Sequence, residues 1–178
     1  MPTYTVTSAN LALTTDQEAA IAASITRSHH ETTGAPAYFA QVIFSRIESG
    51  KHYVGGKAYR TPHLFVHGLI RAGRSADMKA ALVKDITAKV HAIAGITAED
   101  IWVYLQDIAA TQMVEFGRIL PEPGAEESWR AAMSVQKLQD LKATGAILIR
   151  AGKSAFTRRL RPWVCETPSP AMRPAISA

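Results

Sequence analysis

An α+β fold, two tandem β-α-β units forming a four-stranded mixed sheet with two helices on one face, is what the 178-residue sequence predicts, and three observations carry the prediction. The extended segment Pro2-Thr-Tyr-Thr-Val-Thr7 has a counterpart, Pro62-His-Leu-Phe-Val-His67, at an offset of 60. Thr15 and Ser75 repeat that offset as candidate helix N-caps. Gly34 and Gly95 then stop the two helices, because glycine takes the left-handed conformation that ends a helix.

The elements follow in order. The first strand begins at Pro2. The first helix opens at Thr15, with Glu18 three residues on as a capping box, and places Ile21, Ala22 and Ile25 on one face. A strand over residues 39–47 completes the first unit, and a crossover helix makes it parallel to the first strand. Residues 51–60, with Gly55-Gly56 between Tyr53 and Tyr59, read as a small hairpin. The second unit comprises the strand from Pro62, a helix capped by Ser75 with Met78, Leu82, Ile86, Val90 and Ile93 on its apolar face, and a strand over 101–106. Residues 113–120 read as extended and 121–124 as a turn. A third helix is predicted over about 126–142, with Trp129, Met133 and Leu141 covering part of the core.

The expected domain is therefore residues 1–149, with repeats over about 2–60 and 62–120 and then the C-terminal helix. Residues 150–178 form a basic tail. That tail holds six bases and one acid, which accounts for the whole formal charge of +5, and it carries Pro162, Pro168, Pro170 and Pro174. Such a segment reads as a solvated, poorly ordered arm rather than a nucleic-acid interface, so no nucleic-acid partner is expected. The lone Cys165 demands no oxidising compartment, and no apolar run spans a membrane or forms a signal peptide. The expected location is the cytoplasm. A sheet with helices on one side leaves its other face bare, and Ile101-Trp-Val-Tyr-Leu is apolar on both faces, which predicts a homo-oligomer.

Several motifs fail. Ala151-Gly-Lys-Ser154 resembles the end of a phosphate loop, but Ile147 stands where that loop needs glycine. His63 and His67 share a strand face without a third ligand nearby, so no metal is expected. No nucleophile elbow or Cys-His pair occurs.

The surviving constellation starts with Pro2. Removal of Met1 would leave a secondary amine, and α-amino groups titrate near neutrality, so Pro2 can serve as an acid or a base. Arg71 and Arg74 follow a strand and precede a helix N-terminus, which makes a carboxylate clamp at the carboxyl end of a parallel strand. Glu115, in Gln112-Met-Val-Glu-Phe-Gly-Arg118, has apolar neighbours that would raise its pKa, and the alternative is a strand carboxylate paired with Arg118. Tyr104 points away from Val103 and Leu105, either to act with Glu115 or as an ordinary buried hydroxyl. His29, near the end of the first helix, can donate to a substrate carboxylate or simply complement the helix dipole.

Taken together these residues resemble the tautomerase superfamily, whose fold is also called MIF-like, and within it the cis-3-chloroacrylic acid dehalogenase group. The resemblance runs from Pro2 to about Gly124, and its most specific stretches are Phe65-Val-His-Gly-Leu-Ile-Arg-Ala-Gly-Arg-Ser-Ala-Asp77, Ile101-Trp-Val-Tyr104 and Gln112 to Arg118. It implies a homotrimer in which Pro2 is the proton donor, Arg71, Arg74 and His29 hold the substrate carboxylate, and Tyr104 and Glu115 activate water, with no metal or organic cofactor. The implied activity is hydration of unsaturated carboxylic acids, with cis-3-chloroacrylate giving malonate semialdehyde. A phenylpyruvate-type keto-enol tautomerase, a malonate semialdehyde decarboxylase and a non-catalytic binding protein of the same fold remain the alternatives.

Overall fold

The computed structural model describes residues 2–154, with side chains through residue 144. The chain forms strand β1 (Thr3–Ala9), helix α1 (Thr15–Thr33), β2 (Gln41–Ile47), the hairpin β3 (Tyr53–Val54) and β4 (Lys57–Ala58), β5 (His63–Arg71), α2 (Ala76–Ala94), β6 (Ile101–Ile108), a second hairpin β7 (Val114–Glu115) and β8 (Arg118–Ile119), α3 (Glu126–Ala131) and α4 (Val135–Ser154). The tail is expected from residue 150, but α4 runs on through residues 150–154, and the rest of the expected tail lies outside the described residues.

The main sheet has the order β2-β1-β5-β6. Each crossover pair is parallel, β1 with β2 and β5 with β6, and the two units join through an antiparallel β1–β5 pair centred on Val6 opposite Val66. This is the predicted mixed sheet, and α1 and α2 lie side by side on one face of it. Alternation along the strands sends Tyr4, Val6, Leu64, Val66 and Ile70 inward, where they pack with Ile21 and Ile25 of α1 and Leu82, Ile86 and Val90 of α2. All ten are fully buried. At roughly 2 kcal/mol for each large apolar side chain, this layer dominates the stabilisation of the fold.

The helix ends show why the two units fold alike. Ser75 caps α2 as predicted, its hydroxyl accepting from the Met78 amide. In α1 the cap is Thr14, one residue earlier than expected, because Gln17 completes the reciprocal box that Glu18 would have supplied to Thr15. Gly34 and Gly95 both adopt the left-handed conformation that closes a helix. A histidine repeats the same device in each unit. His30 Nδ1 bonds the Ala35 carbonyl at 2.7 Å, and His91 Nδ1 bonds the Ile96 carbonyl at 2.6 Å, pinning the turn that leads into the next strand.

Four sequence expectations need correction. The strand predicted from residue 39 starts at Gln41, because Ala37–Phe39 winds into a 3-10 turn after Pro36. The extended reading of residues 113–120 is a tight hairpin whose two turn residues, Phe116 and Gly117, both have positive φ, 51° and 75°. That is the twist a two-residue hairpin requires, and it costs a bulky aromatic about 1 kcal/mol at Phe116. The single C-terminal helix is two helices, broken after Ala131. Finally, Trp129, Met133 and Leu141 are only half-buried and do not join the core between sheet and helices. Trp129 instead donates from Nε1 to the Ile119 carbonyl at 2.7 Å and packs edge-on against Phe39, so α3 closes over the end of the sheet.

Gly68 supplies one close approach. It sits opposite Tyr4 in the antiparallel pair, and a Cβ there would lie 2.5 Å from Tyr4 Cε1 and 2.7 Å from Leu105 Cδ2. The absent side chain is what lets the Tyr4 ring lie across β5.

Candidate active site

Pro2 is buried immediately before β1, and its carbonyl accepts from the Gln41 amide at 3.0 Å, so β2 holds the start of the chain in place. Two cavities meet at this residue. One, of about 320 Å³, brings Pro2 together with Arg71 and Arg74. The Thr33-Gly34-Ala35-Pro36 turn, Phe39, Leu120, Pro121 and the α3 residues Glu126, Trp129 and Arg130 complete its walls. The other, of about 540 Å³, is lined by Pro2, Tyr38, Phe39 and the hairpin residues Val114, Glu115 and Phe116, among others.

The two arginines come from adjoining elements. Arg71 is the last residue of β5, and Arg74 lies in the loop before the Ser75 cap, so both reach the end of the sheet where α2 begins and α1 ends. Arg74 donates from Nη1 to the Arg71 carbonyl at 2.6 Å. Its Nη2 lies 3.5 Å from His29 Nε2, and its Nε is buried without a protein acceptor. Burial and the neighbouring Arg71 lower the Arg74 pKa, and an arginine side chain stays charged in a protein at neutral pH. A buried donor with no acceptor is what an anionic ligand would satisfy.

These features fit a known family. The family model described as "Putative oxalocrotonate tautomerase enzyme" matches residues 1–133. The crystal structure of N1, a member of the cis-3-chloroacrylic acid dehalogenase (cis-CaaD) family, is 34% identical and superposes with a TM-score of 0.74, covering 79% of this chain and 99% of N1. This chain is a tautomerase-superfamily member of the cis-CaaD family. Native Ps01740 is 31% identical with a TM-score of 0.60, over 64% of this chain and 99% of that one. A fused 4-OT wild-type symmetric trimer, at 23% identity and a TM-score of 0.61 over 66% of this chain and 94% of its own, shares the fold. No curated protein sequence matches the chain.

In this member of the tautomerase superfamily Glu115 and Pro2 both line the second cavity. Burial raises the Glu115 pKa, and the positive charge at the chain's amino terminus offsets that rise only in part. The β7–β8 hairpin is what brings Glu115 to the cavity that Pro2, Thr3 and Gln41 also line.

His29 stands buried beside Arg74. It is 2% exposed, its Nε2 lies 3.5 Å from Arg74 Nη2, and its Nδ1 meets the Tyr4 hydroxyl at 2.8 Å. Burial and the charge of Arg74 push its pKa down to about 3, so it is neutral at pH 7. A folded pKa below the unfolded value means that the unfolded chain binds the proton first. The contribution of neutral His29 is fully present above about pH 6.5 and is lost as pH falls toward 3. Acidification from pH 7 to 5 should therefore cost this enzyme about 2 kcal/mol of stability through His29 alone. Urea unfolding at both pH values checks this, and the difference should shrink by that amount in His29→Gln.

Tyr104 is not brought to Pro2 within one chain. It stands on the open face of the sheet, 55% exposed, edge-on to Phe65 and beside Trp102, and it lines a different hollow with Thr7, His52 and His63. Thus Pro2 shares one cavity with Arg71 and Arg74 and another with Glu115, His29 stands beside Arg74, and Tyr104 is remote. Glu126 and Arg130 also reach the first cavity and escaped the sequence reading. Their positions in the helix predicted over about 126–142 carried no signal, because the placement of α3 at the cavity depends on contacts with segments distant in the chain. Among the described residues no cluster of three His, Cys, Asp or Glu could hold a metal, and no helix is long and apolar enough to cross a membrane.

Proposed function

We propose that this enzyme hydrates α,β-unsaturated carboxylic acids and hydrolytically dehalogenates 3-haloacrylates. The observation that carries the reading is the shared wall: Pro2 borders a cavity with two guanidiniums on one side and a cavity with a carboxylate on the other. Arg71 and Arg74 bind the substrate carboxylate and draw electron density from the β-carbon. Glu115 accepts a proton from water as the oxygen bonds to that carbon. The cationic amine of Pro2, freed by loss of Met1, gives its proton to the α-carbon. When the β-carbon carries chloride, the resulting chlorohydrin expels chloride and a proton to leave malonate semialdehyde.

The open sheet face, with Ile43, Trp102 and Tyr104 exposed, supports a homotrimer in which a neighbouring protomer carries its Tyr104 to the water side of the site. The fused 4-OT of the same fold is itself a symmetric trimer, which supports this reading.

One observation favours a second reading, a keto-enol tautomerase. Arg71, Arg74 and Arg130 border the cavity with Pro2 against the single carboxylate of Glu126, and this excess of positive charge favours the neutral amine, which is a base rather than an acid. Incubating protein of verified Met1 loss with cis and trans haloacrylates, propiolate and phenylenolpyruvate tests both. Hydration or halide release whose rate falls as the Pro2 amine loses its proton supports the acid role. Turnover of the enol alone, rising over the same range, establishes the base role. No turnover of any of these compounds would leave a binding protein of tautomerase fold.

Arg71 enters this chemistry already engaged. Its Nη1 donates to the Pro121 carbonyl at 2.7 Å and its Nη2 to the Glu126 carboxylate. The pairing with Arg71 holds the Glu126 carboxyl below its ordinary pKa, so it stays ionised at neutral pH. A substrate carboxylate therefore competes with Glu126 for the same fork. Glu126→Gln should lower KM for the acid substrate by about 3- to 10-fold with little change in kcat, since a half-exposed ion pair is worth about 1 kcal/mol. Steady-state kinetics at pH 7 reads this directly.

A further inference from the structure

Behind the cavity lies a buried pair that the proposed chemistry does not use. Tyr4 is 0% exposed, and its hydroxyl meets His29 Nδ1 at 2.8 Å. Either atom can be the donor, and the surroundings decide which. If Nδ1 carried the proton, the Tyr4 hydroxyl hydrogen would need an acceptor elsewhere, and among the described residues His29 is its one hydrogen-bond partner. Leaving a buried O–H without an acceptor is costly. Burial also raises the Tyr4 pKa, so the phenol keeps its proton. The economical arrangement has the Tyr4 O–H donating to Nδ1.

That arrangement has a consequence at the other nitrogen. The neutral imidazole then carries its proton on Nε2, the atom 3.5 Å from Arg74 Nη2. Two donors at that separation do not bond each other. Both are satisfied by a single oxygen placed between them, beside the unpartnered Nε of Arg74.

We propose that Tyr4 is a positioning residue that fixes His29 as the Nε2–H tautomer, so that His29 and Arg74 present converging donors to one oxygen of a bound carboxylate. Gly68 belongs to the same device, since it clears the space in which the Tyr4 ring lies. The link runs from a missing side chain in β5 to a ring in β1 to a tautomer in α1. Tyr4 itself touches no substrate.

The part that concerns the carboxylate rests on the function proposed above, whereas the tautomer does not, and the experiment separates the two. Nitrogen-15 NMR of the ligand-free protein at pH 7, with the His29 ring assigned by its loss in His29→Gln, reports which nitrogen is protonated. A protonated Nε2 and an unprotonated Nδ1 are expected. In Tyr4→Phe, which keeps the ring and removes the donor, both nitrogens should move toward averaged values. With a substrate that turns over, KM should rise about tenfold in Tyr4→Phe while kcat changes little, the loss of one hydrogen bond to a charged group. Should no compound turn over, affinity for propionate measured by NMR titration replaces KM, with the same tenfold weakening expected. A wild-type spectrum with the proton on Nδ1 overturns the proposal even if Tyr4→Phe fails to fold. A folded Tyr4→Phe with unaltered nitrogen shifts and unaltered carboxylate affinity overturns it too.

Discussion

Pro2→Ala should reduce kcat for hydration about a hundredfold, and protein that retains Met1 should lose the whole contribution of general acid catalysis, about 10² to 10⁴. The two cases differ for a physical reason. Alanine still ends in an amine of similar pKa and keeps the carbonyl that accepts from Gln41, but it lacks the ring that is buried where the two cavities meet. A retained methionine instead makes the Pro2 nitrogen an amide, which neither accepts nor releases a proton near neutrality. Mass spectrometry of each preparation alongside its kcat makes the comparison. Full activity in Pro2→Ala, or equal activity with and without Met1, would remove Pro2 from the mechanism.

Tyr104→Phe should be similarly damaging, yet activity should return when it is assembled with an inactive partner. Because Tyr104 stands on the open sheet face and Glu115 beside Pro2, a trimer that shares sites between chains takes the two residues of one site from different protomers. Mixing denatured Tyr104→Phe and Glu115→Gln and refolding them together creates some sites with both residues intact. Each variant refolded alone is expected to fall about 10²-fold, and the mixture should recover activity well above either. A mixture no more active than its components would show that Tyr104 acts in its own chain or not at all.

The architecture was legible to an unusual depth. Ser75, Gly34 and Gly95 act as the sequence indicated, because capping and left-handed closure depend on one or two residues and their immediate backbone. Where two neighbours could do the same job the reading slipped by one, from Thr14 to Thr15, since only the folded turn shows which threonine meets Gln17. Arg71 and Arg74 were placed by topology, as the residues that follow a parallel strand. Glu115 was singled out for its apolar neighbours and does share a cavity with Pro2, but through a hairpin that had looked like extended chain.

Taken alone, the sequence determined the repeated strand-helix-strand order, the buried faces of both helices and the amine, guanidinium and carboxyl groups available for chemistry. Periodicity and end caps are local, so a short window contains all the information they need. Which groups share a cavity was decided only in three dimensions. Glu126 on Arg71, Tyr4 behind His29 and Tyr104 on the far face each depend on contacts between segments distant in sequence, or on the side of the sheet left uncovered, and no local pattern records such distances.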